Sequence, residues 1–472
     1  MDVEKVLQDL HMAVGEDKVI TRPEALDECR SDLIGYRRWE RYSKTYRTPR
    51  PICILRAANT QDVSKALELL NKEKVNVIPV SGRSCVTGGI EPTENTVLLD
   101  ISDMNGVLSF DTTNFMVTVK AGTPLEYLES YCNLRGYTTG HFPQSLPLAQ
   151  MGGLVATRSI GQLSTLYGGM EDLLIGLEAV LPTGEVIRIK NVPRRSAGID
   201  LRHLFLGCEG RFGVITEVTV KIFRQPEEKW QCAFAIKSVD DGLAALREIM
   251  QAGWKPAVAR LHDAYEAEES YPAYVRPGES ILLFVAYGPK GMAALTGNAV
   301  SEICSSHGAR VLGGKPVEHW FEVRNNVCDT LDRHYNAGNI GDSIEVSANW
   351  SDIGEIYKAA CARGLEEVED VVQFSAHSSH SYVQGTNMYF VTRYKGSDDL
   401  DQNEKRFLQV YTPIMEETLK HGGSICHHHG VGKYRTRWIE QEHGTAYPLL
   451  GRIRDAMDPN GIMNRGTLIN DG

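Results

Sequence analysis

The sequence lacks most of what would place it in a membrane, on a nucleic acid or in an oxidising compartment. No window approaches the roughly 18 consecutive apolar residues of a membrane-spanning helix. The net charge is -11 over 472 residues, which argues against the basic face of nucleic-acid and anionic-membrane binders. The 10 cysteines include no C-x-x-C pair and read as free thiols of a reducing cytosol, not as a disulfide frame or a zinc site. No G-x-G-x-x-G follows the first strand, so a nicotinamide-binding Rossmann unit is not expected. The opening MDVEKVLQDLHMAVGED reads as an acidic amphipathic helix and not as a signal peptide. The closing LINDG carries no peroxisomal tripeptide. The expectation is a cytoplasmic protein.

What the chain does have is ordinary globular composition, 42% hydrophobic and 24% charged, and a succession of small-residue loops. Ile52–Leu55 and Val75–Val80 read as strands around a helix that begins near Asn59. The loop Pro79–Gly89 follows, and its small residues let backbone N–H groups approach an anion. Strands are expected at Thr96–Asp100 and Met116–Lys120, with a helix from about Pro124, and a strand pair at Gly176–Leu181 and Glu185–Lys190. Further small-residue clusters stand at 140–145, 152–153, 157–161, 167–169 and 207–216. Each alone is a turn. Their succession over one half of the chain suits a long slot whose backbone meets an elongated ligand.

Beyond Pro226 strands and helices alternate. Strands are expected at Trp230–Ile236, Val258–His262, Ile281–Tyr287, Ala309–Leu312, Asp342–Trp350, Val371–Ala376 and Met388–Tyr394, with helices over 239–252, 290–306, 315–333, 351–366 and 402–421. This is the pattern of an antiparallel sheet backed by helices.

Two segments carry the resemblance to a known family. Pro79–Val86 is similar to a Pro-x-Gly-Gly-Gly-[Thr/Ser]-Ser pyrophosphate loop, and Glu209–Thr216 to a Glu-Gly-x-x-Gly-Val-Ile-Thr segment. The chain thereby resembles the vanillyl-alcohol-oxidase/p-cresol-methylhydroxylase superfamily of FAD enzymes over nearly its whole length. The resemblance implies an α+β fold: a two-part FAD-binding domain of the PCMH type with an antiparallel-sheet cap. Residues 1–50 would form a helical lead-in, 51–225 the FAD-binding domain, 226–430 the cap and 431–472 a return to the FAD domain. It implies that FAD, held non-covalently, is surrounded by Pro79, Ser81, Gly82, Arg83, Ser84, Cys85, Val86, Pro143, Ser145, Gly152, Gly153, Thr157, Ser159, Gly161, Glu209, Gly213, Val214 and Ile215. Arg83 departs from the pattern by standing where the family has its third loop glycine. Its guanidinium can reach the pyrophosphate or a nearby acid, or point to solvent.

The densest chemical stretch is Ser424–Trp438, with His427, His428 and His429 adjacent. In an extended strand His427 and His429 share a face and His428 opposes them, so a metal held by all three is not expected. Tyr382 and Tyr389 stand where the metal-dependent hydroxy-acid branch has two histidines, and His428 where it has a glutamate. That substitution argues for no metal. The His-His-His-Gly-Val-Gly-Lys run and Asp342–Trp350 resemble alkyldihydroxyacetonephosphate synthase instead. That resemblance implies Tyr389 as acid/base residue, the three histidines as walls of a polar pocket, Tyr382 nearby, and Arg333 as anchor for a phosphate or carboxylate, with Arg324 as competitor. The lesser alternative for Tyr389 is a strand tyrosine packed under the cap.

Two chemistries remain open. In one, a small alcohol, phenol or hydroxy acid gives up a proton to a base and hydride to flavin N5, and oxygen or an electron carrier reoxidises the cofactor; a positive field from the histidines would lower the Tyr389 pKa from about 10. In the other, a flavin N5 adduct exchanges acyl for alkyl with no net redox change. The synthase family carries a long N-terminal extension and a peroxisomal address that this chain does not show, and no long apolar segment marks a fatty-chain tunnel. The oxidoreductase is therefore the leading expectation, as a homodimer acting on a small-molecule substrate. A flavin-binding protein without catalysis is a third reading, opposed by the density of His, Tyr and Arg.

Overall fold

The apolar runs of the first half become two sheets that share one core. The computed structural model describes residues 2–471, without the side chains of 327–329 and 331. Strands Cys53–Arg56, Thr96–Asp100 and Asn76–Val80 lie side by side in parallel, and Val19–Ile20 adds an antiparallel edge. Successive parallel strands, here Cys53–Arg56 and Asn76–Val80 on either side of Thr96–Asp100, need a crossover. It is the helix Thr60–Lys72, capped by Asn59, whose side chain accepts the backbone N–H of Asp62. Its buried stripe is Val63, Ala66, Leu67 and Leu70. Leu67 is 0% exposed, and truncating it to alanine would cost about 2–5 kcal/mol.

A second, antiparallel sheet runs Val107–Asp111, Met116–Lys120, Val214–Lys221, Leu174–Val180, Val186–Ile189. Its first strand has a half-exposed pattern without clean alternation, which is why the sequence does not announce it. Both sheets pack into a single apolar cluster that also takes in Ile462 and Met463. Those two residues run beside the Asn76–Val80 strand: Val77 donates to the Ile462 carbonyl and accepts from Asn464.

The second half is one seven-stranded antiparallel sheet, in the order Arg310–Gly313, Glu228–Ile236, Ser280–Gly288, Val258–His262, Val371–Ser378, Gly385–Lys395, Asn339–Asn349. The period-2 alternation of a strand sends successive side chains to opposite faces. Leu261, Ala376, Phe390 and Ile344 join the apolar cluster under the helices. Their neighbours Arg260, His262, His377, Tyr389 and Glu345 therefore face the other way. That face meets residues of the first half: Val258 and Ile281 pack with Leu163, Phe142, Leu166 and Tyr167.

Two helical expectations need correction. The span 315–333 is not one helix but two, Lys315–Val323 and Val327–Asn336. The break holds Asn325 and Asn326, poor helix formers. A short helix, Ala264–Ser270, stands where none was expected; Asp263 caps it by accepting the Glu266 backbone N–H.

Candidate active site

The loops of the first half close on one another as their small residues allow. A Cβ on Gly82 would collide with the Leu148 carbonyl, so the 81–86 loop lies flat against 145–150. Pro143 and Ser145 open the turn that leads there, their carbonyls accepting from Leu146 and Leu148. Gly152 and Gly153 sit in the helix Met151–Ala156, which Thr157 ends; Ser159 and Gly161 follow, and Gly213, Val214 and Ile215 lead into the strand Val214–Lys221. Within this wall His141 is 2% exposed, and burial pushes its imidazole down to about 4. Both of its nitrogens, Gln150 Oε1 and Glu171 Oε2 are buried without a hydrogen-bond partner among the described residues. Close-packed loops lined by such unmatched polar atoms fit a bound polar group of FAD's kind.

Arg83 takes the left-handed backbone of the glycine it replaces, with φ 51. Its guanidinium donates to the Cys29 sulfur at 2.6 Å, so it neither meets an acid nor stretches into solvent. Glu209, expected against the cofactor, uses its carboxylate on the protein instead: it accepts the backbone N–H groups of Val431 at 2.6 Å and Gly432 at 2.8 Å. Gly430, at φ 94, makes room; a Cβ there would lie 2.9 Å from the Glu209 carboxyl carbon.

The three histidines are held from the other side. Glu345, 0% exposed, accepts the backbone N–H groups of His427, His428 and His429 at 3.2, 3.0 and 2.8 Å. Three successive N–H groups aimed at one oxygen define a turn, so the extended-strand expectation for 427–429 is wrong: neighbouring rings meet edge to face, and His427 Nδ1 lies 2.8 Å from His428 Nδ1. Arg435, fully buried, bridges both Glu345 oxygens at 2.7 and 3.1 Å. Burial alone would raise Glu345, but Arg435 and His429 outweigh it and hold the carboxyl well below its usual range.

A row of polar side chains crosses the cap sheet at this level. His262, His377, Tyr389 and Glu345 stand directly opposite one another on four adjacent strands. Tyr389 stacks on His377 with centroids 4.7 Å apart and meets His429 edge to face at 5.3 Å. Tyr382 is 40% exposed and its hydroxyl lies 2.7 Å from His427 Nε2. His380, which the sequence reading passed over, stacks on His427 and joins Ser164 of the first half at 2.8 Å. The structure thus brings Tyr382, Tyr389 and all three predicted histidines together.

The electrostatics reverse one expectation. Burial pushes His427 down to about 4 and His380 and His428 well below their ordinary value. Near neutrality these rings carry no charge and supply no positive field to Tyr389, and the pull of Arg260 is outweighed by burial. Burial pushes its hydroxyl up to about 12, so it stays protonated.

Arg333 is not part of this constellation. It is exposed and donates to Thr330 in its own helix. Two other arginines are. Arg260, 7% exposed, and Arg324 flank the Trp320 ring at 5.4 and 5.3 Å. Arg324 donates to Gln162 of the first half at 3.0 Å. Among the described residues neither has a carboxylate within ion-pair distance. Arg260 stands on the same face as the polar row; nothing in its strand but an arginine amid apolar residues could have flagged it.

Behind the row, Glu266 Oε2 lies 2.6 Å from His262 Nδ1 and 2.9 Å from His377 Nδ1. These three form a group close enough to share a metal ion. The separations are those of hydrogen bonds, and Arg260 donates to the other nitrogen of His262 at 3.4 Å. The signal for Glu266 was local and readable: Asp263 followed three residues later by a glutamate is a helix start.

Residues 51–190 match the family model described as FAD binding domain, and 225–468 the one described as FAD linked oxidases, C-terminal domain. An uncharacterised FAD-linked oxidoreductase of Escherichia coli, YgcU, is 42% identical over 98% of each chain. Alkyldihydroxyacetonephosphate synthase of Dictyostelium discoideum is 28% identical over 89% of this chain and 73% of its own. A solved alkyldihydroxyacetonephosphate synthase structure superposes with a TM-score of 0.82 at 23% identity, covering 98% of this chain and 88% of that one, a likeness of fold.

Proposed function

We propose, from the premise that this chain belongs to the FAD-linked oxidase family and is a flavoenzyme with FAD as cofactor, that it oxidises a small hydroxylated substrate bearing a carboxylate or phosphate. The observation that carries this reading is the pair Arg260 and Arg324. Arg260 is a buried guanidinium without an acid partner within ion-pair distance among the described residues, which is costly, and with the half-buried Arg324 on the same Trp320 ring it makes a site for an anion. Cytosolic residence and a homodimer remain part of the proposal.

In this reading Arg260 and Arg324 hold the anionic end of the substrate and set which carbon faces the cofactor. Tyr389, protonated, donates to the substrate oxygen. The neutral rings of His427 and His428 line the pocket. The domain-spanning clamp of Glu345 and Glu209 keeps that wall in register. FAD supplies the two-electron acceptor, and oxygen or an electron carrier removes the electrons afterwards.

The second reading, an alkyl-for-acyl exchange without net redox change, is favoured by the His427–Lys433 run and Tyr389, which match the synthase pattern. Both readings use an anion anchor. Anaerobic mixing with a panel of alcohols, phenols and 2-hydroxy acids separates them. Bleaching of the flavin absorbance by an anionic member of the panel supports the oxidoreductase. No bleaching by any of them, with release of the acid from an acyl-dihydroxyacetone phosphate, refutes it in favour of the exchange.

A further inference from the structure

We propose that His377, through Nε2, is the general base that takes the substrate's hydroxyl proton, with Glu266 fixing the ring's tautomer. The inference rests on the oxidoreductase reading and names the group which that reading leaves open.

Glu266 accepts from two imidazoles at once. Its carboxylate, held below its usual range by His377 and His262 against the effect of burial, has no proton to give. Both Nδ1 atoms, at 2.6 and 2.9 Å, must therefore be the donors. Each ring, neutral, is left with a bare Nε2. On His262 that nitrogen is taken by the Arg260 N–H at 3.4 Å. On His377 it has no partner among the described residues, and the side chain is 11% exposed. A carboxylate fixing Nδ1–H while Nε2 stays free is the arrangement of an oriented base. The groups around it are Glu266, His262 and Arg260, Tyr389 stacked on its face, and His380. Burial lowers the His377 pKa, so the ring is uncharged and able to accept at neutral pH.

The step balances within the proposed reaction. The O–H bond breaks and its proton goes to Nε2. FAD, when bound, would supply the acceptor for the carbon-bound hydrogen and its electron pair as C–O becomes C=O. The proton then returns to solvent. Arg260, next to His377 on the same face, would hold the anionic group within reach of that nitrogen, and Tyr389 would donate to the same oxygen.

The test has two arms on the holoenzyme. In the first, protein labelled with nitrogen-15 histidine is read by NMR, the His377 signals being those absent from His377→Gln. Wild type should show a protonated Nδ1 and a bare Nε2, and Glu266→Gln should mix the tautomers. A protonated Nε2 in wild type overturns the proposal. So do Nδ1 signals that appear only after chelation, together with activity that chelation abolishes, since the triad would then hold a metal. In the second arm, the flavin is reduced by the fastest compound of the panel across pH. Wild type should slow as pH falls through the base pKa. His377→Gln should be about 10²–10⁴ slower and lack that limb, and added imidazole should restore part of the rate to His377→Ala. Glu266→Gln, which keeps the ring, should shift the limb. A His377→Gln rate within threefold of wild type, with the limb intact, overturns the base alone. If no compound bleaches the flavin, the oxidoreductase reading falls and the base falls with it.

Discussion

Glu345 meets His429 twice: one carboxylate oxygen accepts its backbone N–H at 2.8 Å, and the other lies 2.7 Å from its Nδ1. The same carboxylate is paired with the fully buried Arg435. Glu345→Gln would leave that guanidinium uncompensated, and breaking such a pair costs about 3–5 kcal/mol. The unfolding midpoint should fall accordingly. The pH dependence follows from the depressed carboxyl: its contribution is whole above the unfolded pKa of about 4.3 and is lost as pH falls below that, toward the folded pKa. Thermal unfolding followed from neutral pH downward should show a wild-type slope that sets in below about 4.3 and shrinks in the variant.

Tyr389 is expected to act as a donor. Tyr389→Phe should keep FAD bound and slow flavin reduction by about 10²-fold, the effect of removing one well-placed donor. Because burial pushes the hydroxyl up to about 12, wild type should show no rate change from this residue up to mildly alkaline pH. Stopped-flow reduction across pH checks both. Wild-type rates in the phenylalanine variant would leave Tyr389 as packing for His377.

How far the sequence spoke depends on the range of the interaction. Strands Thr96–Asp100, Met116–Lys120 and Val258–His262 run where the sequence pattern placed them, because a short apolar, β-branched run is a local signal. The histidine run and Tyr389 were visible as residue types. Their mode of assembly was not. Glu345 binds backbone groups 82–84 positions away, and no spacing rule links a strand glutamate to them. Burial also reversed the expected charge of His427 and His428, and burial is a property of the packed molecule. Arg333 lies exposed on the second helix, beyond the break at Asn325 and Asn326, whereas Arg324 caps the first and donates to Gln162. Glu266 was the one readable miss, since Asp263 announces its helix.

The anion reading predicts a split between substrates. Arg260→Gln should weaken an anionic substrate by about 10²-fold, the loss of a strong charge-assisted contact, with the change in KM exceeding that in kcat. Arg324→Gln should act in the same direction but less strongly, because it is half-buried and shared with Gln162. A neutral alcohol turned over by wild type should be nearly indifferent to either. Equal losses for neutral and anionic substrates would assign the arginines to packing on Trp320.

Arg83 gives the last prediction. A non-glycine residue in the left-handed region costs roughly 1–2 kcal/mol, and here that cost is borne at φ 51. The guanidinium bond to Cys29 offsets part of it. Arg83→Gly removes the strain and the bond together, so stability should move by no more than about 1 kcal/mol. The glycine also enlarges the unfolded ensemble, which opposes the relief. Because the Arg83 side chain is spent on Cys29, the variant should keep its full flavin content, measured after acid release. A variant that purifies colourless would show that the guanidinium leaves Cys29 for the cofactor's phosphates when FAD is bound, and that the family's glycine is replaced here by a charge used for binding.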